Sequence, residues 1–130
     1  MKLIGIGTDI VELARFAAHA KALPDGPARR YLTETEMAEA ILRKNAAAEY
    51  LASRFAAKEA VMKSLGCGMD QISFCEVEIA SAPDGRPFVR LHGRAKARAA
   101  EISAATVMLS ISHGKESAVA FAAAVAEDAL

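Results

Sequence analysis

Apolar positions change their spacing along the chain, and each change marks an element. Residues 2–8 read as a short strand in which Gly5 and Gly7 alternate with Ile4 and Ile6, so one face carries almost no side chains. Strand glycines of this kind mark the close approach of another backbone or of a ligand. Asp9 then opens a predicted helix over residues 10–22, with Glu12 three positions on as its capping partner. On that helix Ile10, Leu13, Ala14 and Ala17 are expected to face inward, while Glu12, Arg15 and His19 share an exposed side. A carboxylate at a strand-to-helix junction beside two glycines is also a place where a metal or phosphate could approach. Pro24-Asp25-Gly26-Pro27 is a turn-rich break, and Arg29 and Arg30 follow it. Thr33 and Glu36 have capping-box spacing for a second helix that runs to about Arg43. A long third helix covers residues 46–65, and Gly66 is placed to end it.

Beyond Gly68 the period shortens to two. Cys75, Val77 and Ile79 alternate with Phe74, Glu76 and Glu78 as a half-buried strand; Asp84-Gly85 turns the chain, and residues 87–91 return as the second strand of a hairpin. Residues 94–102 form a short amphipathic helix rich in Ala and Arg. Two further strands, 106–112 and 117–126, flank the turn His113-Gly114-Lys115-Glu116, and a short polar tail follows. The apolar content of these strands is nearly continuous, which implies cover on both faces. So few helices can hardly cover both, so a subunit interface is expected. The fold class is therefore α+β: a small single domain over residues 1–130, with an antiparallel sheet and helices mainly on one side.

Composition narrows the picture further. Apolar residues make up 53% of the 130 residues, enough for a real core, and the absence of Trp leaves that core to Ala, Val, Leu, Ile and Met. Sixteen Lys and Arg balance sixteen Asp and Glu, which argues against nonspecific binding to nucleic acid or membrane. Any acidic partner must be met by a local patch. Cys67 and Cys75 match neither a disulfide framework nor a zinc signature. The first apolar run, Leu3 to Gly7, is too short for a signal peptide or a membrane span, so a cytoplasmic protein is expected.

The candidate chemistry centres on the third helix. Leu51, Phe55, Glu59 and Met62 fall on one stripe, so Glu59 interrupts an apolar face. An ionised carboxylate there needs a partner, because removing it from water costs several kcal/mol (of order 5). Lys63 at i+4 is one candidate and a metal ion is the other. Arg54 and Lys58 add positive charge beside the same turns. Two carboxylates, Asp9 and Glu59, among several cations fit a magnesium site whose shell is finished by water and substrate phosphates.

Gly5-Ile6-Gly7-Thr8-Asp9-Ile10-Val11-Glu12, together with Arg54-Phe55-Ala56-Ala57-Lys58-Glu59-Ala60, Lys63 and Gly66, resembles the holo-(acyl-carrier-protein) synthase family, the small phosphopantetheinyl transferases. Ile111-Ser112-His113 and residues 118–122 resemble its C-terminal hairpin, so the likeness spans essentially the whole chain. The resemblance implies the 4′-phosphopantetheinyl transferase fold and magnesium-dependent transfer of the phosphopantetheine arm of coenzyme A to a serine of apo acyl carrier protein. That reaction releases adenosine 3′,5′-bisphosphate and serves fatty acid biosynthesis. It also implies that Asp9 and Glu59 hold magnesium and that Lys63 contacts the pyrophosphate. Arg54, Lys58, Gly66 and His113 match positions that line the coenzyme A site. A homotrimer with each site at a subunit junction is implied as well. Arg43 and Lys44 are candidates for the 3′-phosphate, and Arg15, Arg29 and Arg30 for docking the acidic carrier protein. Glu59, a metal-bound water and Lys63 are the alternatives for deprotonating the serine.

The chain departs from the family pattern at Gly114 and Ser117, where a larger polar residue and an aromatic one are commoner, and at Cys67, where a Thr is common. Two rival readings are a magnesium-dependent hydrolase acting on a nucleotide and a noncatalytic binding module in which Asp9 is a cap and Glu59 merely pairs with Lys63.

Overall fold

In the computed structural model, which describes residues 1–127, the first strand does not stop at Asp9. Strand β1 runs Lys2–Glu12 and pairs antiparallel with β5 (Ser117–Ala126), from Lys2 opposite Ala126 to Glu12 opposite Ser117, with an irregularity between Leu3 and Gly5. The expected helix over residues 10–22 is thereby corrected. Its place is taken by the end of β1, a 3-10 turn at Leu13–Phe16, and the short helix α1 (Ala17–Lys21). Asp9 is not a helix cap but a strand residue opposite Ala120, and Glu12 makes no side-chain capping bond. The β-branched Ile10 and Val11 suit a strand, and a partner strand with a full ladder outweighs a local capping signal. Burial changes accordingly. Val11 and Phe16 are buried, whereas Ile10, Ala14 and Ala17 are exposed.

The other elements follow the sequence pattern closely. Helix α2 (Glu34–Leu42) starts with both bonds of the Thr33–Glu36 capping box, and helix α3 (Ala47–Ser64) is the longest. Gly66 ends α3 at φ +68°; its N–H donates to the Lys63 carbonyl and the Cys67 N–H to the Met62 carbonyl, both at 3.0 Å, the paired bonds of a Schellman motif. The hairpin strands are β2 (Val77–Ser81) and β3 (Pro87–Leu91). Residues 74–76, expected as strand, form a 3-10 turn with a Ser73–Glu76 capping box of their own, and Glu78 is buried instead of facing solvent. Helix α4 (Gly93–Glu101) and strand β4 (Thr106–His113) complete the fold. The polar tail expected after Ala126 lies, past residue 127, outside the described residues.

Not one sheet but two result. β1, β5 and β4 form a three-stranded antiparallel sheet, and β2 and β3 a separate hairpin that packs beside β4 without a hydrogen-bonded ladder. α3 lies across the inner face of the larger sheet. Ala118, Ala120, Ala122 and Ala124 of β5 meet Ala52, Ala56 and Ala60 of the helix in a core of methyl groups. No described element covers the outer face, so helices do sit on one side. There Ile6, Ala123 and Met108 form one cross-strand row, Thr8, Phe121 and Ser110 the next, and Ile10, Val119 and Ser112 a third. Ile6, Ile10, Met108, Val119 and Phe121 are all exposed. Among the described residues, no helix is long and apolar enough to cross a membrane.

Candidate active site

The glycines of β1 decide how near α3 can come. A Cβ on Gly7 would lie 2.8 Å from Lys63 Cβ and overlap the Ala60 carbonyl oxygen; one on Gly5 would overlap the Ser64 carbonyl oxygen. Backbone therefore rests on backbone along the last two turns of α3, as strand glycines signal. Asp9, on the same inner face as Gly7, is thus brought beside Glu59 and Lys63. Lys63 Nζ donates to the Thr8 carbonyl at 2.9 Å and pairs with Asp9 Oδ1 at 3.4 Å, so its structural ion pair is with Asp9. Glu59 is half-buried between them. Burial, and then the Asp9 carboxylate, push the Glu59 carboxyl above its ordinary pKa, while Lys63 and Arg15 pull it back. Two like charges converging on a partly dry surface leave a place for a cation.

Arg15 reaches this region from the 3-10 turn, with its guanidinium 4.6 Å from the centroid of the Phe55 ring and 5.3 Å from that of Phe16. Gly66 lies at the exposed end of the same helix, where Arg98 Nε donates to the Leu65 carbonyl at 2.9 Å. Arg98 thus satisfies one of the carbonyls a helix end leaves free. No local signal marks Arg98, whose contact depends on a partner 33 residues away.

Arg54 and His113 occupy a different place. They border a cleft of about 240 Å³ with Arg43, Tyr50, Gly85 and Pro87, and neither Asp9 nor Glu59 lines it. Arg54 is buried, its guanidinium 4.6 Å from the Tyr50 centroid; Nη2 donates to Ser81 Oγ at 3.1 Å, and Nε has no hydrogen-bond partner among the described residues. Arg43 lies 5.0 Å from the centroid of the same ring, and His113 Nδ1 stands 4.0 Å from Glu49 Oε2. Positions 54 and 59 leave a helix about 140° apart, so α3 separates the two groups. Lys58 is the correction among the expected ligand residues. It is fully buried, with Nζ donating to Glu36 Oε1 at 2.7 Å and to the Phe74 carbonyl at 3.0 Å, and cannot touch a ligand from there. Burial lowers its pKa and the Glu36 carboxylate opposes the shift.

Arg29 and Arg30 are exposed on a 3-10 turn, Pro27–Arg30, that packs on α1, as the turn carrying Arg15 also does. Arg29 spends part of its charge on Asp25, 3.4 Å away. Arg15 lies on a turn and not, as expected, on a long first helix.

Similarity to known proteins runs through both groups. The holo-(acyl-carrier-protein) synthase of Natranaerobius thermophilus is 41% identical over 118 residues, covering 91% of this chain and 94% of that protein. The crystal structure of the synthase from Neisseria meningitidis superposes with a TM-score of 0.84 at 34% identity, over 95% of this chain and 98% of that one. A synthase from Bacillus anthracis, solved in complex with CoA (3′,5′-ADP), gives a TM-score of 0.80 at 33% identity, over 98% and 100%. Residues 5–123, from the first close-approach glycine to the centre of β5, match the model of one family, and this chain belongs to the 4′-phosphopantetheinyl transferase superfamily.

Proposed function

We propose that this protein transfers the phosphopantetheine arm of coenzyme A to a serine of apo acyl carrier protein, releasing adenosine 3′,5′-bisphosphate. The observation that carries the site assignment is the meeting of Asp9, Glu59 and Lys63 where β1 rests on α3. Asp9 and Glu59 would hold magnesium. They are hard oxygen donors, their mutual repulsion calls for a cation, and among the described residues no group of three His, Cys, Asp or Glu side chains gathers to suit a fully protein-ligated ion. Bound magnesium supplies neutralisation of the charge that builds on phosphate oxygens during transfer.

The chain's own groups do the rest. Lys63, held by the Thr8 carbonyl and Asp9 yet half exposed, presents a fixed ammonium to the pyrophosphate. Gly66, without a side chain, leaves the end of α3 open to the substrate. Arg54, Arg43 and His113 give the separate cleft the cationic character that a nucleotide phosphate requires, and Arg43 fits the 3′-phosphate better than Lys44, which does not line it. Because the cleft and the carboxylates lie on different sides of α3, a complete site draws on two subunits. The exposed apolar rows of the outer sheet face support a homotrimer, since a free surface seldom shows so many neighbouring large apolar side chains. Arg15, Arg29 and Arg30 would dock the carrier protein.

The test is incubation with coenzyme A, magnesium and apo carrier protein, followed by intact-mass measurement. The carrier should gain one phosphopantetheine, and coenzyme A should be consumed only when the carrier is present. Consumption without carrier would turn the reading towards a hydrolase.

A further inference from the structure

Glu36 enters the sequence reading only as half of a capping box, yet it is 1% exposed and its carboxylate is fully engaged. Oε1 accepts the Thr33 N–H at 2.8 Å and Lys58 Nζ at 2.7 Å, and Oε2 accepts the Ile79 N–H at 2.8 Å. One side chain thus joins the start of α2, the middle of α3 and the edge of β2. The Thr33 hydroxyl extends the network by donating to Glu78 Oε2 at 3.0 Å.

On its other side α3 meets β1 and β5 mainly through glycine and alanine, the Lys63 bonds to Thr8 and Asp9 in its last turn being the exception. Such a smooth contact fixes how close the helix comes but restrains its rotation weakly. Directional hydrogen bonds to a buried charge restrain rotation strongly. Lys58 and Glu59 are consecutive, so their side chains leave the helix about 100° apart and turn together. A carboxylate roughly 6 Å from the helix axis moves by about 1 Å when the helix turns by about 10°, and metal and catalytic sites tolerate about half of that.

We propose that Glu36, acting through Lys58, is a positioning residue for the Asp9–Glu59 pair: it sets the rotation of α3 and so the aim of Glu59 at Asp9. The proposal rests on the reading of Asp9 and Glu59 as metal ligands. A merely structural pair predicts something else, since a buried ion pair is often replaceable by neutral groups with little loss of stability.

The experiment uses Glu36→Asp, which keeps the charge but shortens the reach, and Glu36→Gln/Lys58→Met, which removes both charges and leaves none buried alone. Thermal melting followed by circular dichroism establishes folding, and Mn²⁺ titration by electron paramagnetic resonance reads the site without turnover. Both variants should melt cooperatively, bind Mn²⁺ about tenfold more weakly or worse, and lose kcat by a similar factor, because supports of metal ligands typically act on that scale. KM for coenzyme A should rise as well, because Tyr50 and Arg54 of the cleft lie on the same helix and turn with Glu59. Folded variants with wild-type Mn²⁺ affinity and kcat would overturn the proposal. Should the double variant not fold, Glu36→Asp decides by the same two outcomes. Glu59→Gln separates the layers: if it too binds Mn²⁺ like wild type, the metal-ligand reading falls and this proposal with it. If Glu59→Gln loses the ion while the Glu36 variants keep it, only the positioning role falls.

Discussion

Glu59 is held where its charge is unwelcome, and the proposed metal role gives that tension a use. In metal-free protein, Glu59→Gln should melt no lower than wild type, because it relieves the repulsion from Asp9 and the burial of a charge. The same change should reduce turnover by about a hundredfold or more, as expected when a charged group acting on the transition state is lost. Paired melting curves and kcat measurements check both halves; a stability loss with normal kcat would make Glu59 structural. In the sequence Glu59 stood out as a carboxylate on an apolar stripe and Asp9 as one beside two strand glycines; that β1 brings them together, with Lys63 paired to Asp9 and not to Glu59, depends on contacts about 50 residues apart along the chain. Lys58 was not legible: its partner Glu36 is 22 residues away and carries a local capping signal that hides the buried pair. Gly7 was half legible, as a close approach without a named neighbour. Gly7→Ala should destabilise the fold by about 1–3 kcal/mol or more, the range for overpacking, because the three nearest atoms all belong to α3 and two of them are its backbone. Denaturant unfolding measures it, and a neutral result would mean that β1 and α3 separate freely.

Among the elements, helices and hairpin were readable where local signals and tertiary packing agree. Thr33–Glu36 and Gly66 mark the starts and stops that the structure shows, and residues 87–91 form the strand their alternation predicts. The segment after Thr8 misled because Asp9 and Glu12 have cap spacing, whereas the element that decides its fate, β5, lies at the far end of the chain. The same competition shortened β2, whose expected first residues form a capped turn. That turn gives a pH prediction. The Ser73 backbone N–H, with further help from the Arg94 backbone and guanidinium, holds the Glu76 carboxyl below its ordinary pKa. A depressed carboxyl contributes stability above its unfolded pKa and loses it as pH falls through the folded value. Glu76→Gln should therefore lower Tm at neutral pH, and the difference should shrink towards zero as pH drops through and below the carboxylate range. A difference that persists at low pH would assign the effect to packing and not to charge.

Across the whole molecule two surfaces call for partners, one charged and one apolar. The chain has no net charge, so the proposed docking of an acidic carrier protein rests on a local cluster, the arginines flanking α1. Arg30 tests this more cleanly than Arg15, which also acts on Glu59. Arg30→Glu should raise KM for carrier protein several-fold and leave KM for coenzyme A unchanged. Its effect should fade with added salt, since screening reaches about 8 Å at physiological ionic strength; equal KM values at low salt would move docking elsewhere. The apolar surface was legible only as an excess of apolar residues in two strands, because alternation alone does not say which face the helix takes. The structure divides them: Val107 points into the core, and Val119 and Phe121 point out. Val107→Asp should therefore unfold the protein, whereas Phe121→Asp should leave a folded subunit that no longer assembles, as light scattering would read. If sites are shared between subunits, that variant should also be inactive, because the carboxylates and the Arg54 cleft of one chain do not meet. Glu59→Gln and Arg54→Ala proteins, each inactive alone, should regain activity when unfolded together and refolded, since mixed assemblies then contain junctions built from two intact halves. Activity that never returns in assemblies shown to be mixed would place both groups in the service of one subunit.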